Sequence, residues 1–138
     1  MAARGEGAAG RKGAASRRAK LDNNFNGLVV LSHFDSTGRI SLSMRDSTAA
    51  GNSINGIYVL AQGAPVVATL DNVTVTTNAR GLLVDGAATR VLITRLTATS
   101  NFIGMSTVNS GVIVSYGDNH INNNISVNGT PTITQTPQ

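Results

Sequence analysis

One short phrase occurs four times in this chain: a glycine followed by three apolar residues. The copies are Gly27-Leu28-Val29-Val30, Gly56-Ile57-Tyr58-Val59, Gly81-Leu82-Leu83-Val84 and Gly111-Val112-Ile113-Val114. Their glycines are 29, 25 and 30 residues apart. A unit recurring at such an interval cannot bury its own apolar face. It has to stack on its neighbours, coil on coil.

Alternation with a period of two divides each phrase between two faces. Leu28, Ile57, Leu82 and Val112 form one predicted core column, with Val30, Val59, Val84 and Val114 on the same face. Val29, Tyr58, Leu83 and Ile113 point the other way and form a predicted outward stripe, a candidate contact surface. A second strand precedes the glycine phrase. Leu70, Val73, Val75 and Asn78 align with Ile93, Leu96, Ala98 and Asn101 at an offset of 23. Ser41–Thr48 reads as an earlier copy and His120–Val127 as a degenerate last one. The extra residues Phe102–Asn109 before Gly111 read as a turn insertion. Gly27, Gly56, Gly81 and Gly111 are assigned to tight corners that require positive φ.

Composition supports a narrow core. Aromatic residues make up 4% of the 138 residues, and tryptophan is absent. Rings therefore cannot fill a wide interior, whereas stacked Val, Ile and Leu can fill a thin one. The fold expected is all-β: a right-handed parallel β-helix of about four coils.

The net charge of +4 is unevenly placed. Arg4, Arg11, Lys12, Arg17, Arg18 and Lys20 stand against Glu6 alone, so the first 20 residues carry +5 and the rest −1. This stretch lacks apolar periodicity and reads as a disordered tail, 1–20, ahead of a β-helix domain, 21–138. The abrupt change at Leu21 reads as the start of a fragment of a longer solenoid. Because the basic residues lie in the tail, no nucleic-acid partner is expected. Self-association through exposed coil ends is expected instead.

The absence of cysteine excludes disulfides and thiolate metal sites. No stretch has the length of a membrane helix, and the N-terminus lacks the apolar region of a secretory signal. The six aspartates are dispersed, and neither a metal nor a cofactor is expected. His33, Asp35 and Arg39 hold the densest set of reactive types. A histidine base beside an arginine that grips a carboxylate would suit uronate chemistry. The same run, His33-Phe34-Asp35-Ser36-Thr37-Gly38-Arg39, also has ordinary turn chemistry, which is the preferred reading.

The glycine phrases, and the segment Ser110–Asn124 with its Tyr116-Gly117-Asp118-Asn119 turn, resemble the parallel β-helix repeat proteins of the pectin lyase-like superfamily, in particular bacterial members without an assigned activity. The resemblance implies a secreted or cell-surface protein with polysaccharide as the expected partner. It leaves two functions open: a non-catalytic structural or glycan-binding segment, or the remnant of a polysaccharide lyase or glycoside hydrolase. The Asn-Thr-Asp, Asp-Asp, Gly-His-Gly and Arg-Ile-Lys motifs of the hydrolase members are missing, so the first is preferred.

Overall fold

The computed structural model describes residues 2–5, 11–34 and 37–136. Thirteen strands run in chain order among them: β1 (Ala2–Gly5), β2 (Arg11–Arg17), β3 (Asn26–Ser32), β4 (Arg39–Ala50), β5 (Asn55–Ala61), β6 (Val66–Thr76), β7 (Arg80–Asp85), β8 (Thr89–Thr94), β9 (Thr97–Thr99), β10 (Ile103–Val108), β11 (Val112–Ser115), β12 (His120–Asn122) and β13 (Ile133–Thr134). The described residues contain no helix. Sheet A has the order β1-β3-β5-β7-β10, and the remaining eight strands form sheet B. Every strand pair is parallel. The chain alternates between the sheets and winds a β-solenoid of about four coils.

The long sheet B strands bend where one residue takes left-handed backbone: Asp46 at φ 49°, Asn72 at 54° and Arg95 at 50°. In the coil containing Arg95 the bend divides the strand into β8 and β9. A cross-section therefore has three short sides around one thin core. Rows of side chains fill it in register. Leu42, Ala68, Val91 and Ile113 make one row. Ala49, Val75, Ala98 and the half-buried Ile121 make another. The buried members of both rows have no appreciable exposure.

The core column is Leu28, Ile57, Leu82 and Met105, not Val112. Val112 sits in sheet B opposite Arg90 and is only half buried. Ile113, expected to point outward, faces the core there, and Val114 is likewise in sheet B. The fourth glycine phrase is Gly104-Met105-Ser106-Thr107, 23 residues after Gly81, matching the offset of the preceding strands. The segment 102–109, expected to be a turn insertion, mostly forms β10. A phrase needs an apolar residue only at its inward position. Ser106 and Thr107 therefore hide the fourth copy from a search for apolar triplets.

The start of the chain differs from its reading as a disordered tail wherever it is described. β1 pairs with β3, and β2 pairs with β4 along its whole length. Pairing continues beyond the strand: Leu21 N–H donates to Thr48 O at 2.9 Å, and Thr48 N–H to Ala19 O at 2.9 Å. A parallel ladder joins main-chain groups and needs no apolar side chain. Small Gly13, Ala14 and Ala15 lie on β4 through backbone bonding, which composition does not reveal. Residues 1 and 6–10 lie outside the described residues.

Candidate functional site

The corner from sheet B into sheet A is the most ordered polar feature. A left-handed residue opens it in each coil: Asn23, Gly51, Thr77, Ser100 and Asn123, with φ between 53° and 63°. Asn24, Asn52, Asn78, Asn101 and Asn124 follow. The side-chain Nδ2 of Asn52 donates to Asn78 Oδ1 at 2.9 Å, Asn78 to Asn101 at 3.0 Å, Asn101 to Asn124 at 3.0 Å and Asn124 to Asn128 at 3.0 Å. Each Nδ2 also reaches a carbonyl of the same core wall: Leu21, Ala49, Val75 and Ala98 in turn. The main-chain N–H of each asparagine donates to the next Oδ1 as well. Burial without a partner would be costly for every one of these groups, and the ladder pairs them.

The glycines serve this corner through close approach. Gly27, Gly56, Gly81 and Gly104 are absent from the positive-φ residues, so the expected conformational reason does not hold. A Cβ on Gly56 would lie 2.7 Å from Gly81 O and 2.8 Å from Asn78 Nδ2. The glycine column thus admits the asparagine ladder and the next coil. Gly111 belongs to another turn, after left-handed Asn109 and Ser110, where a Cβ would lie 2.5 Å from Val84 O.

At the bend of sheet B the side chains are exposed and charged. Arg17 Nε donates to Asp46 Oδ2 at 3.3 Å, and Asn72 Nδ2 to Asp46 Oδ1 at 2.8 Å. Asn72 foremost, then Arg17, hold the Asp46 carboxyl below its ordinary value. Asp71 accepts from Arg95 and lies 3.8 Å from Arg45. Asp118 accepts from the Arg95 main-chain N–H at 3.1 Å and from the Thr94 hydroxyl at 2.8 Å. These bonds, the main-chain one first, also hold its carboxyl low. Arg17 and Lys20, read as tail residues, are ion partners of Asp46 and Asp22.

The outward stripe on sheet A is Val29, Tyr58 and Leu83, continued by Ser106 rather than Ile113. Leu31 and Leu60 run beside it, with Asp85 next in their row. The Tyr58 hydroxyl donates to Asp85 Oδ2 at 3.0 Å, and Asn109 Nδ2 donates to Asp85 Oδ1 at 2.8 Å. Partial burial first, then the bond to Asp85, hold the phenol above its ordinary value. The phenol therefore stays protonated and acts as a hydrogen-bonding platform.

Of the three reactive residues, His33 is half buried in the turn after β3 and Arg39 is exposed at the start of β4. Asp35 lies outside the described residues. Arg39 borders a shallow concavity on sheet B with Gly13, Ala15, Ser41, Ser43, Val67 and Thr69. Among the described residues no three His, Cys, Asp or Glu side chains converge on a metal position, and no helix is long and apolar enough to cross a membrane.

Periodicity missed one further row. Phe25, Ile54, Ala79 and Phe102 precede the paired row Asn26, Asn55, Arg80 and Ile103. Phe25 is 75% exposed and Phe102 53%, which sets them apart from the buried core. The signal was available: an apolar residue one or two places after the ladder asparagine in four coils. Compared with known protein families, curated proteins and solved structures, the chain matches none.

Proposed function

We propose that this chain is a non-catalytic solenoid segment that presents a repeating outer surface to a polysaccharide, as its resemblance to the pectin lyase-like β-helix proteins implies. The observation that carries the reading is the register of the outward rows. Amide, hydroxyl and apolar side chains recur on successive coils along one axis, at the strand spacing of about 4.8 Å. A linear polymer with repeating units meets such a surface as a series of equivalent contacts, and weak contacts in series add up to retention. Tyr58, anchored by Asp85, supplies an apolar ring face with a polar tip on that surface.

The aspartates support a non-catalytic role. Asp46, Asp71, Asp85 and Asp118 are each engaged by an arginine, amide or hydroxyl partner. A hydrolytic pair needs one carboxyl free to donate a proton and another to accept one.

Affinity electrophoresis against a panel of acidic and neutral polysaccharides tests the reading. Retardation by at least one polymer, without release of reducing or unsaturated sugar, is the expected result. No retardation by any polymer overturns it. Sugar release that disappears in His33→Ala or Arg39→Ala replaces it with the enzyme reading.

A further inference from the structure

The corner row beginning at Phe25 has the chemistry of a defined sugar subsite. Phe25 borders a cleft together with Asn23, Asn24, Gly51 and Ser53. The Asn23 side chain is exposed on this cleft. Its Oδ1 lies 2.9 Å from the place a Gly51 Cβ would occupy, so glycine keeps this part of the cleft open. Asn24 Nδ2 donates to Asp22 O at 3.0 Å. An exposed phenyl ring flanked by amide and hydroxyl groups matches a sugar ring, which has one apolar C–H face and an equatorial rim of hydroxyls.

The row repeats along the axis. Ile54 N–H donates to Phe25 O, Arg80 N–H to Ile54 O, Ile103 N–H to Ala79 O and Ser126 N–H to Phe102 O. Phe25 and Phe102 therefore stand three coils apart, about 14 Å at ordinary strand spacing. Ile54, itself 41% exposed, and the small Ala79 stand between them. The cleft residues are uncharged. Arg80, which follows Ala79, is exposed and lies outside the cleft that Phe25 borders. Asp22, next to Asn23, is paired with Lys20 at 3.5 Å.

We infer that the Phe25–Phe102 row is a binding subsite for a neutral, unbranched glycan lying along the solenoid axis. This rests on the glycan-binding reading and adds to it the place, the charge class and the direction of the chain. At the Phe25 end an acidic polymer would find no cation among the residues of the cleft.

The test uses the full chain with three soluble probes: a neutral β-glucan, a neutral galactomannan and polygalacturonate. Binding is measured for the wild type, Phe25→Ala, Phe102→Ala, the double variant and Asn23→Ala. Circular dichroism and the melting temperature verify the fold, which these exposed positions should leave intact. The expected result is neutral-polymer binding, weakened about tenfold by each phenylalanine change, the scale of one lost aromatic contact. Asn23→Ala should weaken it less. Neutral binding unchanged in the double variant overturns the subsite while leaving the glycan reading in place. Preference for polygalacturonate overturns the charge class and with it the site. No binding to any probe overturns both readings. Sedimentation provides the remaining arm: self-association lost in the double variant, with no glycan bound, would make the row a contact between copies.

Discussion

Two corners of this solenoid turn the chain with the same backbone device and differ in everything around it. At the bend of sheet B, Asp46, Asn72 and Arg95 adopt left-handed backbone, and their side chains join exposed ion pairs and hydrogen bonds. At the entry to sheet A, Gly51, Thr77 and Ser100 adopt it, and the asparagines that follow are buried. Asn52, Asn78 and Asn101 are 2%, 4% and 0% exposed. The bonds at the two corners differ in worth. A solvated bond that breaks is replaced by water, whereas a buried one leaves an orphan donor or acceptor. The buried corner should therefore govern stability, and the exposed one should adjust it.

Asn78→Ala is the sharpest test of that contrast. It removes the acceptor of Asn52 N–H and Nδ2 and the amide that donates to Ala49 O and Asn101 Oδ1. With several buried groups orphaned, urea unfolding should show a loss of at least about 3 kcal/mol. A loss no larger than that of a surface change would make the two corners equivalent. Leu82→Ala comes next, at about 2–5 kcal/mol, because a fully buried column residue leaves a cavity. The half-buried Val112→Ala should cost clearly less in the same assay. Equal losses would restore Val112 to the column. Deletion of residues 1–20 should lower the melting temperature by ~5 °C, since it uncovers the edge of β4. An unchanged melting curve would return those residues to the status of an inert tail.

The smallest effect belongs to the exposed bend and depends on pH. The Asp46 and Asp118 carboxyls lie below their ordinary value of 3.8 in the folded chain. Such groups favour the fold above the unfolded value, and their support is lost as the pH falls through the lowered folded value. Asp46→Asn should thus cost a little stability at neutral pH and flatten, by the same small amount, the decline in unfolding midpoint below about pH 4. A large loss at neutral pH would show that the bend, too, is governed by burial.

Much of the architecture was legible in the residues, and the omissions have physical causes. Leu28, Ile57 and Leu82 were readable as a column because inward positions of stacked coils must be apolar. The offset that aligns Leu70 with Ile93 and Asn78 with Asn101 was equally plain. Met105 was missed because an outward serine and a polar threonine follow it, and Gly111-Val112-Ile113-Val114 repeats the same letters in the other sheet. Strand β2 was missed because main-chain pairing leaves no trace in side-chain composition. The reason for the glycines was misread. What they avoid is a neighbouring coil's carbonyl and amide, which a single coil's sequence does not display. The Phe25 row lay outside the periodic template, since corner residues follow neither face of a strand.

The asparagine ladder also has a direction. Every Nδ2 donates toward the C-terminal coil, and the second bond of each amide, to a carbonyl of the core wall, prevents it from turning round. The amide dipoles therefore point the same way and polarise one another, by about 10–30% per bond. No amide can reverse alone, for a single reversal would set oxygen against oxygen on one side and hydrogen against hydrogen on the other. The stack behaves as one aligned electrical element with a donor-rich end and an acceptor-rich end. Damage at two of its rungs should then be non-additive, each break already depriving the other of a polarised neighbour.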